Sequence, residues 1–394
     1  MDRDYSKITP DDVPWLVAAS ARAVCDAIAA GGHQIFYVGG CVRNALLGVA
    51  ATDVDMSTSA TPEQVIALAQ AAGLKPVPTG IEHGTITVVS DGIGYELTTF
   101  RRDVETDGRR AVVAFSDDIT DDARRRDFTM NAIYADANGI VFDPLGGMDD
   151  LRNRRVRFID NADQRIREDY LRTLRYFRFF AWYGNTAEGL DADALAAISS
   201  NLDGLETLSA ERVTAEMRKL LEAADPSQAI AAMAQTGVLG TILAGADIRF
   251  LLLMIHSADA LGSAPDWLGR LVALGGEDTL ERLRLSKSEQ RQYQFIKVAA
   301  FDGESLPATA NKNGADIAVQ AYLIRCAISE CMPDLDYIGQ LTAAAAQIFP
   351  ITAQDLMPDY TGPALGARLT QLKAAWIASN FTLGKAELLA LPAP

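Results

Sequence analysis

The chain has 394 residues, 49% hydrophobic and 22% charged, which suits a soluble globular protein of two or more domains with ample core. Its formal net charge of −16 excludes a surface that coats nucleic acid indiscriminately. The charged start Met1-Asp2-Arg3-Asp4 leads into no apolar segment and no long apolar run follows, so neither a signal peptide nor a membrane span is expected.

In chain order, Val13, Leu16, Val17, Val24 and Ile28 recur at helical spacing, and Gly31-Gly32 ends that helix. Ile35 to Val38 reads as a short buried strand, and Val42 to Leu47 as a short helix closed by Gly48. Thr52 to Thr58 reads as a strand. Thr61-Pro62-Glu63 starts a helix, with Thr61 as N-cap and proline in the first turn. Two β-rich runs, Thr85 to Ser90 and Tyr95 to Phe100, flank a hairpin signal at Asp91-Gly92. The polar stretch Arg101 to Arg110 reads as a mobile loop, and Ile140 to Phe142 as a further strand. Beyond about residue 161 helical patterns dominate: Gln164 to Tyr183, Ala210 to Ala223, Pro226 to Gln235, Lys287 to Ala300, Ile317 to Glu330 and Lys385 to Ala390. The expected plan is an α/β head with a small mixed sheet, followed by an all-α body. The four cysteines, Cys25, Cys41, Cys326 and Cys331, have no zinc-like or disulfide-framework spacing and read as reduced thiols of a cytoplasmic protein.

Three segments carry chemistry. Asp53 and Asp55 lie two apart on the expected strand and so point the same way, shortly after Gly39-Gly40-Cys41-Val42-Arg43. Paired carboxylates suit a hard divalent cation, and a Gly-Gly turn lets backbone N–H groups approach a phosphate. Metal plus phosphate suggests phosphoryl or nucleotidyl transfer, although Asp-x-Asp also occurs on ordinary solvated strand ends. The second segment is Arg124-Arg125-Arg126-Asp127-Phe128-Thr129-Met130-Asn131; three adjacent arginines next to apolar residues need compensating anions, unless the run is a solvated basic turn. The third is Glu168-Asp169 through Phe179. On one continuous helix, Asp169 and Arg172 share a face while Arg175 and Arg178 drift round it, with Leu171, Leu174 and Phe177 in the core; an ordinary helix with i,i+3 ion pairs has the same pattern. Between Asp91 and Phe180 there are 16 arginines and no lysines against 18 acidic residues, a concentration of the side chain best suited to bidentate phosphate and base contacts.

Taken in order, Gly-Gly-x-Val-Arg, Asp53-x-Asp55, Arg125-Arg126-Asp127-Phe128-Thr129-Met130-Asn131-Ala132 and Glu168-Asp169-x-x-Arg172 resemble the class II CCA-adding tRNA nucleotidyltransferases, which share a superfamily with bacterial poly(A) polymerases. Glu82-His83-Gly84-Thr85 fits as well, and Ser209-Ala210-Glu211-Arg212 resembles the family's helix-bracing motif. Thr99 to Gly108 and Gln164 to Phe179 look closest to the eukaryotic mitochondrial branch. The resemblance implies a nucleotidyltransferase head at 1–155, a base-recognising neck at 156–224 and a tRNA-binding body and tail at 225–394. It implies that Asp53 and Asp55 bind two Mg²⁺, that Gly40 and Arg43 hold nucleotide phosphates, and that Arg126 contacts the nucleotide with Asp127 and Asn131 near its ribose. Asp169 and Arg172 would read the base, and Arg175 and Arg178 would complete the pocket. Substrates would be ATP, CTP and the 3′ end of tRNA, with no membrane involved.

Two features depart from the family. Asn44 stands where an aspartate usually follows the arginine, which removes an expected ion pair with Arg43. The overall acidity implies that RNA contact is confined to an arginine-bearing groove. His33, His83 and His256 form no cluster, so an appended HD phosphohydrolase domain is not expected. Glu96 is a candidate third carboxylate, against the simpler reading of a strand-surface glutamate. Alternative activities are A-only or CC-only addition, poly(A) synthesis, or an inactive RNA-binding protein. The length of the Arg101 to Arg110 stretch favours complete CCA addition, and the intact aspartate pair argues against inactivity.

Overall fold

The computed structural model describes residues 5–10, 13–50, 53–107, 110–262 and 264–392. The chain divides into two compact units, Met1–Arg212 with Gln235–Thr241, and Val213–Ala234 with Ile242–Pro394.

The first unit is built on a sheet of seven strands: β1 (Ile35–Val38), β2 (Asp55–Thr58), β3 (Lys75–Gly80), β4 (Thr85–Ser90), β5 (Ile93–Thr99), β8 (Tyr134–Ala135) and β9 (Val141–Phe142), in the order β3-β4-β5-β2-β1-β8-β9. Only β2 and β5 run parallel, with Asp55 opposite Glu96. Helices α1 (Ala19–Ala30), α2 (Gly40–Leu47), α3 (Pro62–Ala71), α4 (Ile119–Arg124) and α5 (Met148–Arg152) belong to this unit, α3 opening on the capping box of Thr61 and Gln64. Asp91 and Gly92 both take positive φ (50° and 78°), as a two-residue hairpin turn with the right twist requires.

Several expectations change. The first helix begins at Ala19, because Pro14 opens a separate 3₁₀ turn, Pro14–Leu16. Strand β2 starts at Asp55, so Asp53 precedes the strand instead of sharing its pleat, and Thr52 lies outside the described residues. The polar stretch Arg101 to Arg110 is a hairpin of β6 (Arg101–Asp107) and β7 (Arg110–Phe115), with Gly108 and Arg109 outside the described residues. A ladder of backbone hydrogen bonds needs no apolar side chains, so polarity concealed it. Strand β3 was concealed by its two prolines; the shift in its register against β4 between Val77 and Gly80 fits an edge strand that tolerates them. Strand β8 is too short to show a period.

The expected helix Gln164 to Tyr183 is two helices, α6 (Ala162–Glu168) and α7 (Leu171–Tyr183), broken at Asp169 and Tyr170. Asp169 is extended (φ −154°, ψ 105°) and its carboxylate accepts from the Leu171 N–H at 3.1 Å, a side-chain bond that competes with helix continuation. Next to it the Tyr170 ring lies over Gly204, where a side-chain carbon would come within 2.0 Å of the ring. As expected, Leu171, Leu174 and Phe177 are buried.

The second unit is helical. Its inner contacts include Arg270, 4% exposed, which donates to the carbonyls of Leu221 (2.7 Å), Ala223 (2.5 Å) and Ala224 (3.0 Å) and so terminates the helix Ala210–Leu221. Its last helices enclose a small core of Ile351, Leu356, Leu372, Trp376 and Leu388. Among the described residues no helix is long and apolar enough to cross a membrane.

Candidate active site

Asp53, Asp55 and Glu96 line one cleft of about 720 Å³. The parallel register of β2 and β5 sets Asp55 beside Glu96, although 41 residues separate them. Asp55 is solvent-accessible yet crowded. That crowding, with the Glu96 and Asp53 charges, raises its carboxyl above the usual value against the opposing pull of Arg126. A corner with such excess negative charge and oxygen donors fits a hard cation. No group of three or more ligating side chains forms an all-protein cage among the described residues. A cation held by one or two carboxylates, completing its shell with water and substrate phosphate, is compatible with both facts.

Across the sheet from β5, strand β1 ends at Gly39-Gly40. Gly39 has φ 74° and ψ −126°, a conformation open only to glycine, and it starts α2 directly after the strand. The first N–H groups of α2 thus lie beside the aspartates and are suited to an anion. Arg126 reaches the same turn, its Nη1 lying 3.6 Å from where a Gly39 side chain would begin. Its Nη2 donates to Asp122 (2.9 Å) and Ser57 (3.1 Å), and its Nε to the Tyr134 hydroxyl (3.2 Å). Asp122 is fully buried and also accepts from Arg125 at 2.6 Å. Burial would raise its pKa, but Arg126 and Arg125 hold the carboxyl well below the usual range. Arg125 and Arg126 are therefore braced around an internal anion, while Arg124 is exposed.

Four more of the residues singled out in sequence form one hydrogen-bonded chain. Arg43 Nη1 donates to Asn131 Oδ1 (2.5 Å), Asn131 Nδ2 to Asp127 Oδ1 (3.0 Å), and Arg175 to Asp127 Oδ2 through Nε (2.7 Å) and Nη2 (2.5 Å). Burial opposes ionisation of Asp127, but Arg175, Asn131 and the Phe128 N–H together bring it down to about 2. Arg43 is 6% exposed, and burial lowers its pKa. The missing aspartate at 44 is replaced by a neutral contact: Asn44 Oδ1 accepts from Arg43 Nε (3.1 Å) and Nη2 (2.8 Å). Arg43 also stacks on Tyr183 at 4.0 Å. The guanidinium groups of Arg43, Arg175 and Arg178 stand 5.0, 5.4 and 4.7 Å from the centre of the buried Phe179 ring. Three cations converge on one ring, with Asp127 as the carboxylate bound into the group, a concentration of positive charge whose chemistry suits a polyanion.

Asp169 and Arg172 sit at the break between α6 and α7, not on one helix. Asp169 Oδ2 accepts from Arg212 Nη2 at 2.7 Å. Arg172 donates to Glu168 Oε2 (2.6 Å) and to the carbonyls of Arg165 (2.9 Å) and Arg125 (3.2 Å), which use three of its five N–H groups. Both side chains are thus held in place while keeping hydrogen-bonding capacity. Sequence reasoning gave no site role to Glu168, Phe179, Tyr183 or Arg212. The Asp122–Arg126 pair had an i,i+4 signal, whereas nothing local links Asp169 to Arg212, 43 residues away.

A carboxylate pair at the start of an inner strand, a glycine turn opening a helix and a braced arginine cluster, on this mixed sheet, define a nucleotidyltransferase head. Residues 35–157 match the poly A polymerase head domain, and residues 189–247 match the probable RNA and SrmB-binding site of polymerase A. The mitochondrial CCA tRNA nucleotidyltransferase 1 of Mus musculus is 32% identical over 97% of this chain and 92% of its own. The CCA-adding enzyme of Geobacillus thermodenitrificans is 41% identical over 54% of this chain and 52% of its own. The crystal structure of the Bacillus stearothermophilus CCA-adding enzyme in complex with CTP superposes with a TM-score of 0.73 at 28% identity, covering 91% of this chain and 92% of that one. The chain belongs to the CCA tRNA nucleotidyltransferase family.

Proposed function

We propose that this protein adds C, C and A to the 3′ end of tRNA from CTP and ATP, without a nucleic-acid template, releasing pyrophosphate. The observation that carries this reading is the convergence of Arg43, Arg175 and Arg178 on Phe179, a triphosphate-sized concentration of positive charge in the same unit as the Asp53/Asp55 corner. Asp53 and Asp55 would hold Mg²⁺, which when bound supplies charge neutralisation at the triphosphate and a lowered pKa for the attacking 3′-hydroxyl. Gly40 and Arg43 orient the phosphates, Arg126 and Asn131 fix the sugar end, and Asp127 keeps Arg175 and Asn131 aligned. The reaction then depends on alignment of the hydroxyl with the α-phosphate, with no covalent intermediate on the protein.

Base choice falls to Asp169 and Arg172. Cytosine and adenine both offer an amino donor next to a ring-nitrogen acceptor, which a carboxylate and a guanidinium complement; uracil and guanine offer the reverse. Arg212 holds the carboxylate and Glu168 the guanidinium, so the pair meets a base with little reorganisation. Head, neck, and body with tail correspond in this reading to 1–155, 156–224 and 225–394, the last serving tRNA. The four cysteines are free thiols, which suits a reducing compartment such as the cytoplasm.

The test is incubation with tRNA lacking its 3′ end, Mg²⁺ and each NTP in turn, reading the nucleotides added. C, C and A in order is expected. A alone, CC alone or a run of A would redirect the reading to the corresponding relative, and no incorporation would refute it. Asp53→Ala and Asp55→Ala should each abolish addition while tRNA binding persists; undiminished turnover in either would refute the metal role.

A further inference from the structure

The second unit contains two thiols that its local backbone brings together. The helix Ala315–Ile328 is capped by Ser329, after which Glu330 takes φ 51°, in the left-handed region. The Glu330 N–H donates to the Ala327 carbonyl at 3.3 Å, and the Cys331 N–H to the Cys326 carbonyl at 3.0 Å. These nested bonds are the Schellman arrangement, which sets the side chain just beyond the helix end against one in its last turn. That contact is commonly apolar. Here it joins Cys331 to Cys326, and the two thiols lie within hydrogen-bonding reach of each other.

The two sulfurs have different surroundings. Cys331 is exposed, whereas Cys326 is 3% exposed and burial pushes its thiol up to about 11. A thiolate that the fold does not stabilise leaves the reduced pair without the advantage that makes a disulfide easy to reduce. Both cysteines border a cavity of about 410 Å³, which the Tyr322 and Tyr337 rings also line, their centres 4.8 Å apart. The Tyr322 hydroxyl accepts from the Asp334 N–H at 2.9 Å, so the segment leaving Cys331 is held as well. One sulfur is thus open to a reagent from solution and the other waits behind it, on backbone already drawn together as a disulfide requires.

We propose that Cys326 and Cys331 are a redox-active dithiol that exchanges with a low-molecular-weight disulfide of the glutathione type. The Cys331 thiolate attacks one sulfur of the reagent RS–SR, forming Cys331–S–SR and releasing RS⁻. The Cys326 thiolate then attacks the Cys331 sulfur, closing the Cys326–Cys331 bond and releasing the second RS⁻. The pair gives up two electrons and two protons, and the reagent leaves as two thiols. Excess thiol reverses both steps.

The experiment incubates the reduced full chain with oxidised glutathione, traps remaining thiols by alkylation and maps the products after trypsin, which leaves both cysteines in one peptide, 326–368. Wild type should lose about 2 Da in that peptide and retain no glutathione. Cys326→Ser should stop at a glutathione adduct on Cys331, and Cys331→Ser should take up none at Cys326. At one glutathione redox ratio, the folded chain should close the bond with an equilibrium constant at least about tenfold above that of a synthetic peptide of residues 322–336, because the helix cap has already shaped the loop. A glutathione adduct that persists on Cys331 in wild type, a Cys331–Cys331 dimer as the main product, or a pair that stays reduced would each overturn the proposal. So would a peptide that closes as readily as the folded chain. The wild-type and peptide measurements decide this even where a variant fails to fold.

Discussion

Replacing Asp127 by asparagine tests the arginine cluster at its one integral carboxylate. Asp127 is 9% exposed and accepts two bonds from Arg175, one from Asn131 and one from the Phe128 N–H at 2.9 Å. Its carboxyl is held at about 2 in the fold against 3.8 for a free aspartate. The ionised form is thus favoured by ~2.5 kcal/mol, which agrees with ~2–3 kcal/mol for a charged hydrogen-bonded group removed from a mostly buried partner. Because the folded pKa is depressed, this stability is fully present above the unfolded value near 4 and is lost as pH falls toward 2. Urea unfolding of wild type and Asp127→Asn should therefore show a gap of ~2–3 kcal/mol that is constant from pH 7 to 5 and narrows below pH 4. Saturating CTP should close part of the gap at pH 7, since the triphosphate replaces the lost anion. A gap under ~0.5 kcal/mol at pH 7, the size of an ordinary surface change, or one that widens in acid, would refute the view of Asp127 as the cluster's counter-ion.

Asp169→Ala should relax base choice more than it weakens triphosphate binding; one bidentate contact discriminates by ~1–3 kcal/mol, so misincorporation of U or G should rise by one to two orders of magnitude. Equal C, A, U and G ratios before and after mutation would contradict this. At Gly204 a methyl group would collide with the Tyr170 ring, so Gly204→Ala should cost ~1–3 kcal/mol and shift the Asp169 turn, seen as lowered Tm with reduced selectivity; a wild-type Tm and product profile would oppose it. Asn44→Asp would convert the Arg43 contact into an ion pair while losing the 2.9 Å bond from Asn44 Nδ2 to the Ala50 carbonyl. A net gain of ~0.5–1 kcal/mol and weaker CTP binding are expected, and calorimetry showing a lower Tm would count against the account of Arg43.

Much of the architecture was legible in the chain because it is written locally. The run Ile35 to Val38, the capping box at Thr61, the Asp91-Gly92 turn and the helical periods after residue 161 each contain their own cause. So do the motif-bearing residues: Gly39-Gly40, Asp53 and Asp55, the arginine run and the Asp169 segment are recognisable by type and spacing. The helix break at Asp169-Tyr170 was not legible from periodicity, since an aspartate can sit within a helix or compete with it, and only the structure shows its bond to the Leu171 N–H.

By itself, then, the sequence determined which residues could bind cation, phosphate and base, and which segments would be strand or helix. Only the tertiary structure decided what each of them touches. Sheet order set Glu96 next to Asp55, packing within the first unit joined Arg212 to Asp169, and Phe179 gathered arginines from α2 and α7. The physical reason is that secondary structure is selected by neighbours within a few positions, whereas a charge is oriented by whatever partner packing brings within hydrogen-bond reach.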